Sequence, residues 1–104
     1  SKRAHYAQIV QATAAYKLAV TLCYQHHPLN ECEGGHYGIP NTNTFPPQQL
    51  VNKIIVSANG VITATPKVKH GFLSSDTYIL TPHAYEHHLS WQASGPAVEK
   101  NYVK

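Results

Sequence analysis

YAQIVQATAAYKLAVTLCY, residues 6–24, decides the fold, because it reads as helix from its first letter to its last. From Arg3 to Gln25 there is neither Gly nor Pro, and Pro28 stops the helix soon after. At 1.5 Å per residue this is a rod about 33 Å long. Ahead of it only Ser1 has the side chain of an N-cap. The spacing therefore predicts a helix over residues 1–25, with SKRAH reading as a cut through a helix that begins upstream.

Placed at 100° intervals, these residues form two apolar faces. Tyr6, Ile9, Thr13, Tyr16, Val20 and Cys23 make a broad, bulky stripe suited to packing on a sheet. Opposite them run Ala4, Ala7, Gln11, Ala14, Leu18 and Leu22, small and aliphatic at spacings of three and four. Between His5 and Tyr24 the only charge is Lys17. A surface helix normally carries charge opposite its buried face, and this one does not. Complete burial within the domain is one way to account for that, but four short strands cover only one side of a helix. The other is that the Ala/Leu stripe meets other helices in an assembly, small side chains letting helix axes approach to about 8 Å.

Residues 26–50 form a loop after the helix, rich in Gly and Pro, that cannot be one regular element. VNKIIVSANGVITATP (51–66) then reads as two β-runs joined by Asn59-Gly60, the pair favoured in a two-residue type I′ turn because both positions need positive φ. DTYILTP (76–82) and HLSWQAS (88–94) supply two more strands. In the last, Leu89, Trp91 and Ala93 alternate with Ser90, Gln92 and Ser94, and the apolar side is expected to press on the helix. The fold class is α+β: one domain with a long N-terminal helix on a four-stranded antiparallel sheet (51–95). A C-terminal tail (96–104) follows, pinned by Val98, Tyr102 and Val103.

A chain of 104 residues buries roughly two-thirds of its unfolded surface around a single core. Charged residues are 12% of it, against about 25% in an average soluble domain, a surface suited to life outside the cytoplasm. The formal charge of +3 rises to about +11 when all eight histidines are protonated, so attraction to polyanions strengthens in acid. Lys67, Lys69 and His70 are the one local basic cluster. A solvated loop accounts for it; as the functional alternative, Lys67, Lys69 and Lys100 are candidate DNA contacts.

Cys23 and Cys32 read as a disulfide that implies an oxidising compartment and contributes roughly 2–3 kcal/mol. Two inert thiols, or a metal site with His26, His27 or His36, are the alternatives. His83 and His87 stand at i and i+4 beside His88, a zinc-binding spacing on a helix. Pro82 and the β-rich flanks favour a turn and strand instead, where residues four apart are about 13 Å apart, so no metal is expected. Five carboxylates, no nucleophile elbow and no Gly-rich phosphate loop point to no enzyme and no cofactor. No segment is apolar enough to span a membrane.

KRAHYAQIVQATAAYKLAV, GIP (38–40), NGVITATP (59–66), YILTP and LSW, in that order and spacing, resemble the globular domain of a type IV pilin, of the type IVa major-pilin kind. The resemblance implies a pilin-like fold and a structural subunit of an extracellular pilus fibre, with roles in attachment, twitching motility and DNA uptake during natural transformation. It implies homopolymer contacts through the helix, with host or abiotic surfaces and DNA as further partners. It also implies an upstream leader and an apolar helical segment of about 25 residues, which would hold the subunit in the inner membrane, its domain in the periplasm, before assembly. One departure concerns adhesion. Such pilins often close a C-terminal loop with a disulfide, whereas here Gln92 follows Trp91 and NYVK holds no cysteine. Two other readings are weighed. A minor pilin is the alternative, which abundance in sheared fibres would separate from a major subunit, while a type II secretion pseudopilin would have an acidic calcium loop, and the last ten residues hold only Glu99. A secreted ligand-binding module would use Trp91 and the tyrosines as its face.

Overall fold

The computed structural model, which describes residues 1–103, is α+β. Helix α1 (Lys2–Ala12) starts where the Ser1 hydroxyl accepts from the Ala4 N–H at 3.2 Å. Helix α2 (Ala14–Tyr24) continues it. Together they span 23 residues, but not as the single straight rod the sequence suggests, because the helix bends at Thr13. The cause is local. The Thr13 N–H is shared between the carbonyls of Ile9 and Val10, both at 3.2 Å, and its hydroxyl donates to Val10 O at 2.6 Å. A threonine that bonds back to the preceding turn draws the helix off its axis.

Strands β1 (Val51–Ser57), β2 (Val61–Pro66), β3 (Tyr78–Tyr85) and β4 (His88–Ser94) form one sheet in the order β1-β2-β3-β4, each neighbour antiparallel. Its inner face presents Ile54, Val56, Ile62, Ala64, Tyr78 and Leu80, all buried. At one end Tyr6 meets Phe72, Tyr78 and Tyr102 with ring centroids 5.4, 6.4 and 6.0 Å away, joining helix, strand, loop and tail in one aromatic cluster. The apolar row of β4 is covered less than the sequence suggests. Leu89, Trp91 and Ala93 are half-buried because β4 is the end strand, and what stands over the Trp91 ring is the Lys17 ammonium, 6.0 Å from its centroid.

Both hairpins depart from the expected turns. Asn59 and Gly60 are left-handed, with φ of 67° and 72°, but Ser57 pairs with Val61, so the connection has three residues and not two. With the extra residue, Gly60 lies against the helix, where an added Cβ would sit 2.8 Å from Val20 Cγ1. Strand β3 runs past Pro82 to Tyr85, and the turn is Glu86-His87. His83 is therefore in the strand and His87 in the turn. Both turn residues are left-handed, φ 49° and 69°, without being Gly or Asn.

The 26–50 loop has more structure than a plain connection. Leu29–Glu31 form one 3-10 turn, and Cys32 joins Cys23 in a buried disulfide, Cα atoms 5.9 Å apart. Beyond it the loop runs along the outer edge of β1, where Thr42 and Ile54 exchange both backbone bonds at 2.9 and 2.8 Å. The tail also differs from a simple extension. Pro96–Glu99 form a short helix, α3, started by Gly95 at φ 98° and Pro96 at its first position, before Tyr102 returns to the aromatic cluster.

Replacing Glu86→Asn together with His87→Gly should raise stability by about 1–2 kcal/mol, because these residues take the left-handed backbone at less cost. Urea unfolding measures it, and an unchanged midpoint would show that the native turn carries no strain.

Candidate functional site

Every residue of the bulky helix stripe is buried: Tyr6, Ile9 and Val20 are at 0% exposure, Thr13 at 2%, Cys23 at 3% and Tyr16 at 7%. Tyr16 also gives its hydroxyl to Thr42 Oγ1, tying the helix to the loop that edges β1. The opposite stripe is in water. Ala4, Ala7, Gln11 and Ala14 are exposed, and Leu18 and Leu22 are 59% and 52% exposed. At its N-terminal end this stripe forms one wall of a shallow apolar groove of about 590 Å³, whose other wall is Tyr102 and Val103. Arg3 Nε donates to Asn101 O at 3.2 Å and fastens the tail beside the helix.

The three lysines singled out for DNA have partners inside the chain. Lys67 Nζ donates to Phe45, Pro46 and Gln49 carbonyls at 3.4, 2.5 and 2.6 Å, and Lys69 Nζ to Pro47 O at 3.3 Å. They hold the 45–49 segment to the chain that leaves β2. Partial desolvation, then the Lys69 charge, lowers the Lys67 pKa from its ordinary 10.5. Lys100 belongs to a different element and bonds Asp76 Oδ1 at 2.5 Å.

Asp76 is the polar centre of this end of the molecule, and nothing in the sequence marks it, since its partners are up to 70 residues away. Its carboxylate is 1% exposed. Burial pushes its pKa up, but the Leu73 N–H at 2.8 Å, the Lys100 ammonium and the charge of Lys2 outweigh burial and hold it below the ordinary 3.8. Its backbone carbonyl accepts the Tyr6 hydroxyl at 2.6 Å. Burial and the nearby carboxylate push that phenol above its ordinary value of 10.0.

The histidines are dispersed. His83 Nε2 bonds Gln92 Oε1 at 3.0 Å, His27 stacks on Tyr37 at 3.5 Å, and His5 stacks on His70 at 4.0 Å. Partial desolvation, then His70 and the amino terminus, lower the His5 pKa. Among the described residues no three His, Cys, Asp or Glu side chains are grouped to hold a metal, and no helix is long and apolar enough to cross a membrane. No family model matches the chain, and no curated protein or solved structure matches it.

The Asp76 carboxylate gives a pH signature. The unfolded chain protonates it near its ordinary value and the folded chain only at lower pH. Its contribution is therefore whole above about pH 4 and is lost as pH falls through the folded value. Asp76→Asn should cost about 1–3 kcal/mol at neutral pH and flatten the loss of stability below about pH 4. Thermal melts of both proteins between pH 2 and 7 check this; parallel curves would exclude Asp76 as the source.

Proposed function

We propose that this chain is the globular domain of a type IV pilin-like structural subunit, polymerised through its helix into an extracellular fibre that serves attachment, twitching motility or DNA uptake. One observation carries the reading: the Ala/Leu stripe is uncharged and exposed along both helical segments, while the stripe opposite it is buried on the sheet. Burying Leu18 and Leu22 between subunits would contribute roughly 1.5–3 kcal/mol each. Ala4, Ala7 and Ala14 present little bulk, which permits close approach of helix axes. The Cys23–Cys32 disulfide supports an oxidising location.

In this reading an apolar helix encoded upstream of Ser1 anchors the subunit in the inner membrane with its domain in the periplasm, and lines the fibre core after assembly. The role is structural, without catalysis or cofactor. DNA contact through Lys67, Lys69 and Lys100 competes with the loop carbonyls and Asp76 for their ammonium groups, so it depends on many weak sites acting together along a fibre.

The test is the double substitution Leu18→Lys, Leu22→Lys in the complete gene. The isolated domain should keep its stability to within about 0.5 kcal/mol, since both positions face water. Cells should lose sheared fibres visible by electron microscopy. Normal fibres in the variant, or a gene with no apolar helix before Ser1, would refute the reading.

A further inference from the structure

The two edges of the sheet are finished differently. On β1 the outward groups of Ile54 and Val56 are all bonded. Ile54 exchanges both bonds with Thr42, the Val56 carbonyl accepts from Gly34 N–H at 2.9 Å, and the Val56 N–H donates to Asn41 Oδ1 at 2.8 Å. Gly34 is indispensable to this closure, because a Cβ there would fall 2.0 Å from Asn41 Oδ1. Nothing comparable lines β4.

The phase of the β3–β4 ladder identifies which β4 groups are free. The two-residue turn makes Tyr85 and His88 a hydrogen-bonded pair, and alternation makes His83–Ser90, Thr81–Gln92 and Ile79–Ser94 the others. Pro82, with no N–H to give, falls opposite Trp91 at one of the unbonded positions, in agreement with this phase. Leu89, Trp91 and Ala93 thus turn their N–H and C=O groups away from β3, and none of these groups has a partner among the described residues. The edge also lacks the devices that keep sheet edges apart. It is seven residues long, in regular register, without Pro, Lys, Asp or Glu. Lys17 lies over the Trp91 ring, off the plane of the ladder.

We infer that β4 pairs antiparallel with β4 of a second copy of this chain, about a two-fold axis at Trp91. The strand carries no Lys, Arg, Asp or Glu, so it admits its own copy without like-charge repulsion, and the phase fixes one register. The free groups are spaced by two and centred on residue 91, so setting Trp91 opposite its own mate sets Leu89 opposite Ala93 and Ala93 opposite Leu89. Every free donor and acceptor on both strands is then bonded. Sliding by one residue opposes free groups to groups already used by β3, and sliding by two leaves an end unbonded. The side chains agree with the same axis. Ser90 faces Gln92 on the outer side, Leu89 faces Ala93 on the inner side, and the half-buried row is extended by its own copy. A contact confined to one strand is smaller than the roughly 1,600 Å² of a standard interface, so the dimer is weak and forms at micromolar to millimolar concentration. This surface is separate from the exposed helix stripe and does not depend on the filament reading.

Sedimentation velocity over a concentration series tests it. The wild-type chain should dimerise, and Ala93→Pro, which removes a donor the β3–β4 ladder does not use, should weaken the dimer about tenfold or more with an unchanged circular dichroism spectrum. Should that variant fold poorly, chains with one cysteine added to the native Cys23–Cys32 pair decide the matter. An oxidised mixture of Ser90→Cys and Gln92→Cys should yield cross-linked heterodimer well above either chain alone. A chain that stays monomeric at millimolar concentration would overturn the inference, as would a folded Ala93→Pro that associates like wild type. So would Ser90→Cys cross-linking as well alone as in the mixture, or an edge that takes up an added extended peptide while the chain stays monomeric.

Discussion

One helix has to cover the inner face of four strands, and the rest of the molecule is arranged around that shortage. Tyr6, Ile9 and Val20 are wholly removed from water, each burial of this kind being favourable by about 1.5–3 kcal/mol. Since the only other α-helix among the described residues is the four-residue α3, the ends of the cover are completed by other means. At one end Phe72 and Tyr102 close over Tyr6. At the other the glycine turn of the first hairpin lies against Val20, and the disulfide ties Cys23 to Cys32 of the loop. The same shortage leaves β4 half-covered and the back of the helix in water.

Polar groups are used with similar economy. With only five carboxylates in the chain, one is buried to fix the loop before β3 and to receive Lys100. Lys67, which reads as a surface charge, instead gathers three carbonyls of a proline-rich segment that has few N–H donors to close on itself. These internal uses leave the outside of the molecule poorer in free charge than a count of its residues implies. The four strands carry a single charged side chain, the exposed Lys53 on β1, and this makes an open β-edge more consequential than it would be on a heavily charged protein.

Much of the fold is legible in the letters, and the illegible parts share a cause. The two helix stripes follow from a 3.6-residue period, and the strands from β-branched runs bounded by turn residues. Thr13 in mid-helix is a visible sign of the bend, and Gly95-Pro96 a visible sign of α3. Glu86-His87 is not visible as a turn, because neither residue prefers the left-handed backbone; only the pairing of the flanking strands forces it. The closing of the β1 edge by Gly34, Asn41 and Thr42, and the Asp76 centre, rest on bonds between segments far apart in sequence, which no local pattern announces. For the candidate surface, the exposed stripe was readable as a missing charged face, whereas the internal partners of the three lysines were not.

The bend at Thr13 divides the water-facing hydrocarbon into two straight segments, Ala4 to Gln11 on one and Ala14 to Leu22 on the other. A rigid cylinder laid alongside follows one segment and parts from the next. Any companion that touches both must itself be curved, or be two bodies meeting near the kink. A single threonine hydroxyl thereby limits which shapes fit the back of this molecule, without touching any of them.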